Sequence, residues 1–405
     1  MERLIGILGI IVLLGIALAM SNNRNSIPWR LVAWGLGLQL LFAIFILKTP
    51  MGQPFFGAVD TVFKKLLSFS DAGSDFLFKS FSTGVVEAPL MNFAFRILPT
   101  LIFFSSLITV FYHLGIMQFI VKWIARAMQK TMGTSGSETL SVSANIFVGQ
   151  TEAPLMVRPF VSKMTKSELM AMMVGGFATV AGGVMAIYVK MLEDIPGIAG
   201  HMMAASIMSA PAALVIAKII YPETESSETM GELNITLEKK DDNVMEALSH
   251  GATDGMKLAA NVGAMLVAFV AMIALVNAIL GLIDLSLQQI LGWIFSPLAW
   301  TMGVPWSDAG TIGTLMGEKL VLTELIAYGD LAELRSTNSI SDRSAIIASY
   351  ALCGFANFAS VGIQLGGIGG IAPERRKDLS KLAMKAMIGG ALASWLTATL
   401  AGILI

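Results

Sequence analysis

Long apolar stretches separated by short polar connectors dominate the chain. A helix that crosses a bilayer needs about 20 mostly apolar residues, and eight runs have about that length: 4–20, 31–47, 93–120, 169–191, 202–220, 258–283, 345–371 and 382–405. We expect each to span a membrane. For the first run, an uncleaved span is favoured over a signal peptide because another long apolar run follows it. Shorter stretches at 55–70, 75–84 and 119–132 are typical of amphipathic helices at a membrane surface.

Composition narrows the class of protein. Of the 405 residues, 55% are hydrophobic and 14% are charged, whereas soluble domains average about 25% charged residues. The net charge of −1 gives no basic surplus for nucleic acid. A single cysteine, Cys353, and three widely spaced histidines argue against a disulfide framework or a zinc site. The sequence contains no Ser-His-Asp order, HExxH motif or Walker loop that would indicate an enzyme. The composition predicts a polytopic α-helical membrane protein that is not an enzyme.

Lysine and arginine residues concentrate in alternate connectors, and such connectors usually face the cytoplasm. The richer set holds Arg24 and Arg30; Lys122, Arg126 and Lys130; Lys163 and Lys166; Lys239 and Lys240; and 375–377. The most polar connector, 222–246, belongs to this set. Both termini are then expected outside, with eight crossings between them.

Two regions do not fit simple spans. In 135–163, Gly149 and Pro154 interrupt two arms of about 12 residues, and each arm would be about 18 Å long as a helix, too short to cross. Region 307–328 is shorter still. We predict that both are re-entrant hairpins with their tips at membrane depth. Non-helical backbone is tolerated there only where it is buried in protein or lines a cavity, so the hairpins are expected to share a polar site.

The two halves of the chain also carry matching motifs. Residues 176–179 read Gly-Phe-Ala-Thr after the first hairpin, and residues 354–357 read Gly-Phe-Ala-Asn after the second. Each hairpin holds a Thr-Glu pair, at 151–152 and at 323–324. Matched interrupted segments are typical of internal repeats in secondary transporters. Because the hairpins enter from opposite sides in the predicted topology, the repeat is expected to be inverted.

Polar residues in these hairpins and motifs indicate the chemistry of the site. A carboxylate at membrane depth is costly and therefore suggests function, and Glu152 and Glu324 occupy equivalent repeat positions. Ionised carboxylates only accept hydrogen bonds, so they suit a ligand with hydroxyl or N–H donors. Asn357 and Ser360 lie three residues apart, on one helical face. Together with the amide and hydroxyl at 150–151, they suit a neutral polyhydroxylated or amide-bearing solute.

Structural roles stay open for the same residues. Lys319 is close enough in sequence to pair with Glu324, and the hydroxyl of Ser360 can bond back to its own helix. A functional role is favoured for Glu152 and Glu324 as a pair.

Several motifs resemble concentrative nucleoside transporters. Residues 145–155 (NIFVGQTEAPL) resemble the signature of their first hairpin. Residues 93–104 (FAFRILPTLIFF), 353–360 (CGFANFAS) and 372–376 (APERR) resemble the start of their third span, their seventh span and the turn before their last span. The resemblance covers essentially the whole chain. It implies an all-α elevator-type transporter with eight transmembrane helices, two opposed re-entrant hairpins, an inverted repeat and a homotrimeric assembly.

The resemblance also implies a division of the chain and a set of site residues. The segments would be N-terminal spans (1–92), a scaffold span (93–134), transport repeat one (135–221), a cytoplasmic loop (222–246), a second scaffold span (247–306) and transport repeat two (307–405). Residues facing the nucleobase would be Gln150, Thr151 and Glu152. Those holding the ribose would be Glu324, Asn357 and Ser360. Those packing on base and sugar would be Val184, Leu258 and Phe355. A sodium ion would be held by the side chains of Asn145 and Thr179 and by the carbonyls of Val148, Thr179 and Val180.

The implied function is a symporter that imports nucleosides such as uridine, cytidine and adenosine across the inner (plasma) membrane, driven by a sodium gradient and without an organic cofactor. Proton coupling, with Glu152 or Glu324 carrying the proton, is the alternative. A channel or receptor on the same scaffold and a membrane enzyme are the other classes. One departure from the family is Thr323-Glu324-Leu325, where an Asn-Glu-Phe sequence is common.

Overall fold

A computed structural model describes residues 2–231 and 241–405. These residues contain no β-sheet, only one isolated bridge between Ser135 and Met230, so the predicted all-α class is confirmed. The α-helices of this part of the chain are α1 (Glu2–Ala19), α2 (Trp29–Lys48), α3 (Gly52–Phe78), α4 (Pro99–His113), α5 (Ile116–Met132), α6 (Gly136–Ala144), α7 (Arg158–Val161), α8 (Lys166–Ala178), α9 (Gly182–Met191), α10 (Ile198–Ile220), α11 (Val244–Leu280), α12 (Leu287–Thr301), α13 (Trp306–Val321), α14 (Glu324–Ser336), α15 (Asp342–Ala351), α16 (Phe358–Ile371) and α17 (Arg376–Leu404). A π-helical turn covers Phe93–Ile97, and short 3-10 turns cover Arg24–Ser26, Ala88–Leu90, Ala153–Val157, Gly281–Ile283 and Pro373–Arg375.

Six helical stretches of the described residues are long and apolar enough to cross a membrane: Trp29–Lys48, Phe93–His113, Lys166–Met191, Ile198–Ile220, Val244–Ile283 and Pro373–Leu404. The apolar parts of α1 and α16 are shorter. Each of the eight predicted runs therefore coincides with one of these helical stretches or with α1 or α16.

Three of the predicted runs are not continuous helices. The run at 93–120 breaks after His113, because Gly115 adopts a left-handed conformation (φ 80°) and α5 starts anew. The run at 169–191 is interrupted at Thr179, whose extended backbone separates α8 from α9. The run at 345–371 is interrupted between α15 and α16. A pattern of apolar residues does not reveal such breaks, because apolar side chains continue through them.

Other boundaries also differ from the predictions. A single helix, α3, replaces the two predicted surface helices at 55–70 and 75–84, and it ends at Phe78. Helix α12 was not predicted. Helix α11 begins at Val244, so the last three residues of the predicted loop 222–246 are helical. The predicted cytoplasmic residues Lys239 and Lys240 lie outside the described residues.

The same order of elements occurs twice along the chain. A long apolar helix (α4 or α11) precedes a helix that packs on a short helical segment (α5 on α6, and α12 on α13). A broken helix follows (α8 with α9, and α15 with α16), and then an unbroken one (α10 or α17). Helices α10 and α17 pack against each other, as do α4 and α11. The repeat predicted from two short motifs therefore extends over most of the chain.

Candidate functional site

The interruptions of the two broken helices lie against each other. Gly354, between α15 and α16, has φ of 102°. A Cβ atom added to Gly354 would lie 2.6 Å from the carbonyl oxygen of Phe177 and 2.7 Å from that of Ala178, at the end of α8. Only glycine fits this close approach, because a side chain would meet backbone on the other helix. The matching motifs at 176–179 and 354–357 thus form one junction.

Glu324 lies at this junction, at the start of α14, and is 6% exposed. The hydroxyl of Tyr188 on α9 donates to its Oε1 atom at 2.8 Å. The Nδ2 atom of Asn357 donates to its Oε2 atom at 2.7 Å. The Oδ1 atom of Asn357 in turn accepts from the backbone N–H of Ser360 at 2.7 Å and caps α16. The structure thus brings together Glu324, Asn357 and Ser360, the three residues predicted to hold the ribose.

Lys319 does not make the ion pair that was left open for Glu324. Its ammonium group is fully buried and donates to the carbonyl oxygens of Ala351 at 2.9 Å and Cys353 at 2.8 Å. These carbonyls lie at and just beyond the end of α15, where a helix leaves acceptors without partners. The positive charge of Lys319 still acts on Glu324 through space. Both oxygens of Glu324 are therefore held by neutral donors.

Gln150, in the turns between α6 and the 3-10 turn Ala153–Val157, contacts a residue that was not predicted. The Nε2 atom of Gln364 on α16 donates to the Oε1 atom of Gln150 at 3.1 Å and to the carbonyl of Met173 at 3.1 Å. A Cβ atom at Gly176 would lie 2.6 Å from that Nε2 atom, so glycine makes room for the contact. The sequence did carry a signal, since Gln364 is the single amide side chain in the otherwise apolar and small-residue helix α16.

Thr151 and Glu152 follow Gln150 directly in these turns. Thr151 is half-buried, and its Cγ2 atom would lie 2.8 Å from a Cβ atom added to Gly367 on α16. Glu152 is exposed, and its carboxylate lies over Gly149, where an added Cβ atom would be 2.1 Å from Oε2. The absence of a side chain at Gly149 therefore leaves room for the carboxylate of Glu152, which stays accessible to a solute.

The three predicted apolar contacts come from different elements. Val184 is buried on α9, one helical turn before Tyr188 and therefore on the same face. Phe355 is half-buried between α15 and α16, two residues before Asn357. Leu258 is half-buried on α11, which packs along α4, and α4 packs on α9. Val184 and Phe355 thus lie beside the polar residues of the junction, whereas Leu258 belongs to a separate helix.

A second group of predicted residues surrounds the break between α8 and α9. Asn145 ends α6, is 1% exposed and donates from Nδ2 to the carbonyl of Ser141 at 3.1 Å. Its Oδ1 atom is buried and has no hydrogen-bond partner among the described residues. The hydroxyl of Thr179 donates to the carbonyl of Gly175 at 2.9 Å, which leaves its oxygen lone pairs available.

Backbone contacts hold this group in place. The N–H of Gly182 donates to the carbonyl of Phe147 at 2.9 Å, and the hydroxyl of Ser206 donates to the carbonyl of Ile146 at 3.0 Å. These bonds place the segment that contains Asn145 and Val148 beside the segment that contains Thr179 and Val180. An unpartnered amide oxygen, a hydroxyl and non-helical carbonyls are ligands suited to a small hard cation.

Comparisons with known proteins show which family the chain is similar to. A family profile described as "Na+ dependent nucleoside transporter C-terminus" matches residues 201–402, its N-terminal counterpart matches 8–81, and a profile described as "Nucleoside recognition" matches 94–194. An uncharacterized transporter of Haemophilus influenzae is 44% identical, over 100% of this chain and 98% of its own length. The sodium/nucleoside cotransporter 1 of Rattus norvegicus is 41% identical over 100% of this chain, which spans 64% of that longer protein.

Solved structures show the same fold. A structure of the transporter CNTnw in an inward-facing substrate-bound state matches with a TM-score of 0.92 at 41% identity, covering 100% of this chain and 98% of that one. A variant of CNTnw in an outward-facing state matches equally well, with a TM-score of 0.92, 41% identity and the same coverage. Since the similarity extends over the whole chain in both sequence and structure, this protein belongs to the Na+ dependent family of concentrative nucleoside transporters.

Proposed function

We propose that the chain is a sodium-coupled symporter that imports nucleosides. The observation that carries this proposal is the hydrogen-bonded pair of Glu324 and Asn357 at the junction of the two broken helices. A buried carboxylate held by neutral donors, beside an amide and a hydroxyl, suits the vicinal hydroxyl groups of a ribose. Relatives named sodium/nucleoside cotransporters and a substrate-bound structural neighbour support this assignment.

Each part of the nucleoside has proposed partners. Glu324, Asn357 and Ser360 bind the ribose hydroxyls, and the apolar side chains of Val184, Leu258 and Phe355 pack on base and sugar. Gln150, Thr151 and Glu152 face the base, which presents amide-like donors and acceptors. Uridine, cytidine and adenosine are the proposed substrates, since a carboxylate and an amide at the tip can satisfy both purine and pyrimidine edges.

Sodium is the proposed coupling ion. Asn145, Thr179 and the carbonyls of Val148 and Val180 offer neutral oxygens, and the unpartnered Oδ1 atom of Asn145 supports an ion ligand there. A sodium ion that binds beside the first hairpin region would fix its position and thereby favour nucleoside binding. Movement of the ion down its gradient then drives accumulation of the nucleoside.

The proposed architecture follows the family. Eight crossings and two opposed re-entrant hairpins would lie in the inner membrane, with a homotrimer built on the scaffold segments 93–134 and 247–306. Exposed apolar side chains such as Val267 (74% exposed) and Leu275 (56% exposed) cover α11 and suit contact with lipid or a second subunit. The transport repeats 135–221 and 307–405 would move together across the membrane as an elevator.

Uptake of labelled uridine into proteoliposomes tests the function. An inward sodium gradient is compared with a potassium control at the same voltage and pH. We expect accumulation above the external concentration only with sodium, and loss of the sodium dependence in the Asn145→Ala variant. The Gln39→Leu variant is the matched control, because Gln39 on α2 is a fully buried amide whose side chain has no hydrogen-bond partner in the described part of the chain.

Other outcomes would point elsewhere. Accumulation that depends on an acid exterior instead of sodium would favour proton coupling through Glu152 or Glu324. Equilibration without accumulation would indicate a channel, and chemical change of the uridine would indicate an enzyme. Absence of uptake of uridine, cytidine and adenosine under both gradients would contradict the proposal.

A further inference from the structure

A cavity away from the nucleoside site lies between α12, α13 and α14. Its volume is about 810 Å³, which is within the range of about 300–1,000 Å³ that is common for small-molecule sites. Three carboxylates line it, those of Glu318, Asp330 and Glu333, and no lysine or arginine does. Amide and hydroxyl groups complete the polar wall, among them those of Gln288 and Thr314. The cavity therefore has the electrostatic character of a site for a cation.

Glu318 forms the buried end of this cavity. The residue is 1% exposed, and its Oε2 atom has no hydrogen-bond partner among the described residues. Its carboxyl group lies close enough to that of Asp330 on α14 for the two charges to act on each other. Two carboxylates this close repel each other unless a proton or a cation lies between them.

The cationic side chains on the same helices have other partners. Lys319, the next residue of α13, donates to the carbonyls of Ala351 and Cys353. Arg335 on α14 forms an ion pair with Asp342. Neither side chain lines the cavity. No lysine or arginine on these helices therefore offsets the repulsion between Glu318 and Asp330, which leaves a proton or a bound cation to do so.

The shape and the lining favour an organic cation. The cavity is much larger than a bare metal ion, and the described residues contain no group of three or more His, Cys, Asp or Glu side chains that could hold a metal. The indole of Trp293 lines the mouth and is 65% exposed, and aromatic faces attract ammonium groups. Asp330 and Glu333 lie about one helical turn apart, so two acidic positions follow each other from the buried end outward.

We propose that this cavity binds a primary amine, with one ammonium group between Glu318 and Asp330. A second ammonium group of a linear di- or triamine would reach Glu333. Such a site goes beyond the proposed nucleoside transport and does not depend on it. The ammonium group can come from a soluble polyamine or from the ethanolamine headgroup of a lipid.

Calorimetric titration of the purified full chain with spermidine tests the proposal. The protein is held in nanodiscs of phosphatidylcholine. Sodium chloride and magnesium chloride are titrated separately, so that inorganic cations can be compared with the amine. We expect saturable binding of spermidine that weakens at least about tenfold in Glu318→Gln and Asp330→Asn, because each change removes one charge of a close ion pair. Asp254→Asn, an exposed acid on α11, is the matched control and should bind as the wild type does.

A second set of nanodiscs separates the two sources of the amine. Weaker spermidine binding in phosphatidylethanolamine nanodiscs than in phosphatidylcholine would show that the lipid headgroup competes for the same site. Equal affinity in the two lipids would assign the site to soluble amines. Both results support an ammonium site, provided that the Glu318→Gln or Asp330→Asn change weakens binding.

Two results would overturn the proposal. One is the absence of saturable amine binding in either lipid, which would leave a shared proton as the only charge between Glu318 and Asp330. The other is binding that both substitutions leave unchanged. Asp330 is half-buried, so Asp330→Asn gives an answer even where Glu318→Gln does not fold. Uridine uptake measured on the same preparations shows independently whether the transport proposal holds.

Discussion

Gln150 and Gln364 are 214 positions apart, yet the amide of Gln364 donates to that of Gln150 at 3.1 Å. Gln150 lies in the turns after α6 in the first half of the chain, and Gln364 lies on α16 in the second half. The candidate site is therefore built from both halves. A movement of one half alone would break this contact, so the geometry favours joint movement of the two repeats.

Replacement of Gln364 by leucine should weaken nucleoside binding. The change removes the donor to Gln150 and leaves a buried amide oxygen without a partner, which costs about 1–3 kcal/mol. We expect the KM for uridine to rise about tenfold or more while the amount of folded protein stays the same. Gln39→Leu should leave the KM unchanged. An unchanged KM in Gln364→Leu would show that the Gln150–Gln364 contact does not position the substrate.

Replacement of Glu324 by glutamine tests the ribose site. The new amide can accept from Asn357 with its oxygen and donate with its NH₂ group to the hydroxyl of Tyr188, which reverses its role, so the change removes mainly the negative charge. We expect kcat/KM for uridine to fall about 100-fold, since a charge-assisted contact to each of two hydroxyls is lost. The ratio of uridine to deoxyuridine uptake measures the role directly. The exposed Glu374→Gln is the control, and a wild-type ratio in Glu324→Gln would contradict ribose binding.

Much of the fold was visible in the sequence because bilayer-spanning helices require long apolar runs. The breaks inside three of those runs were hidden, since apolar residues such as Ala181 and Leu352 continue through them. Helix α12 was missed because its 15 residues are shorter than a span and contain Pro297. Only contacts between distant segments define these features.

The site was partly predictable for a related reason. Carboxylates and amides in apolar sequence surroundings, such as Glu324 and Asn357, indicate a functional site because burying them at membrane depth costs free energy. Tyr188 did not, because a tyrosine inside an apolar helix is ordinary until its partner is known, whereas Gln364 stands out as the single amide side chain of α16. The Glu318–Asp330 contact was hidden in the same way, since 12 positions separate the two acids.

Thr179→Val should impair sodium coupling, whereas Thr179→Ser should preserve it. Valine has almost the same shape as threonine but no hydroxyl oxygen, so it cannot be an ion ligand or donate to Gly175. We expect the sodium concentration for half-maximal uridine uptake to rise about 5- to 30-fold in Thr179→Val, which corresponds to the loss of about 1–2 kcal/mol. Sodium activation curves on proteoliposomes measure it. Equal curves for the two variants would remove the hydroxyl of Thr179 from the ion site.

Lys190 joins the end of α9 to the N-terminal part of the chain. Its ammonium group pairs with Asp71 on α3 and donates to the carbonyl of Arg96 at 3.0 Å. If α9 belongs to a moving transport repeat and α3 does not, the Lys190–Asp71 contact must break in each cycle. We expect a short thiol-specific cross-link between Lys190→Cys and Asp71→Cys to reduce uridine uptake several-fold.

Each single-cysteine variant treated with the same reagent is the control for this cross-link. The native Cys353 is fully buried, so it should react little. Full transport by a demonstrably cross-linked protein would mean that α9 does not move relative to α3. The elevator proposal would then need a different boundary between its moving and fixed parts.

Gly354→Ala should destabilise the protein strongly, because two effects add. The residue has φ of 102°, a conformation that costs an alanine about 1–2 kcal/mol. The added methyl group would also lie 2.6 Å from the carbonyl oxygen of Phe177, and such overlap costs about 1–3 kcal/mol. We therefore expect a loss of about 2 kcal/mol or more, seen as a lower midpoint of thermal unfolding in detergent and as reduced uridine uptake. Gly362→Ala on α16 is the matched control, since its Cβ atom would meet nothing within 4 Å and alanine favours helix by up to about 1 kcal/mol. A Gly354→Ala variant as stable as Gly362→Ala would show that the junction of the broken helices yields to an added methyl group, and that its close packing is not what holds Glu324 and Asn357 together.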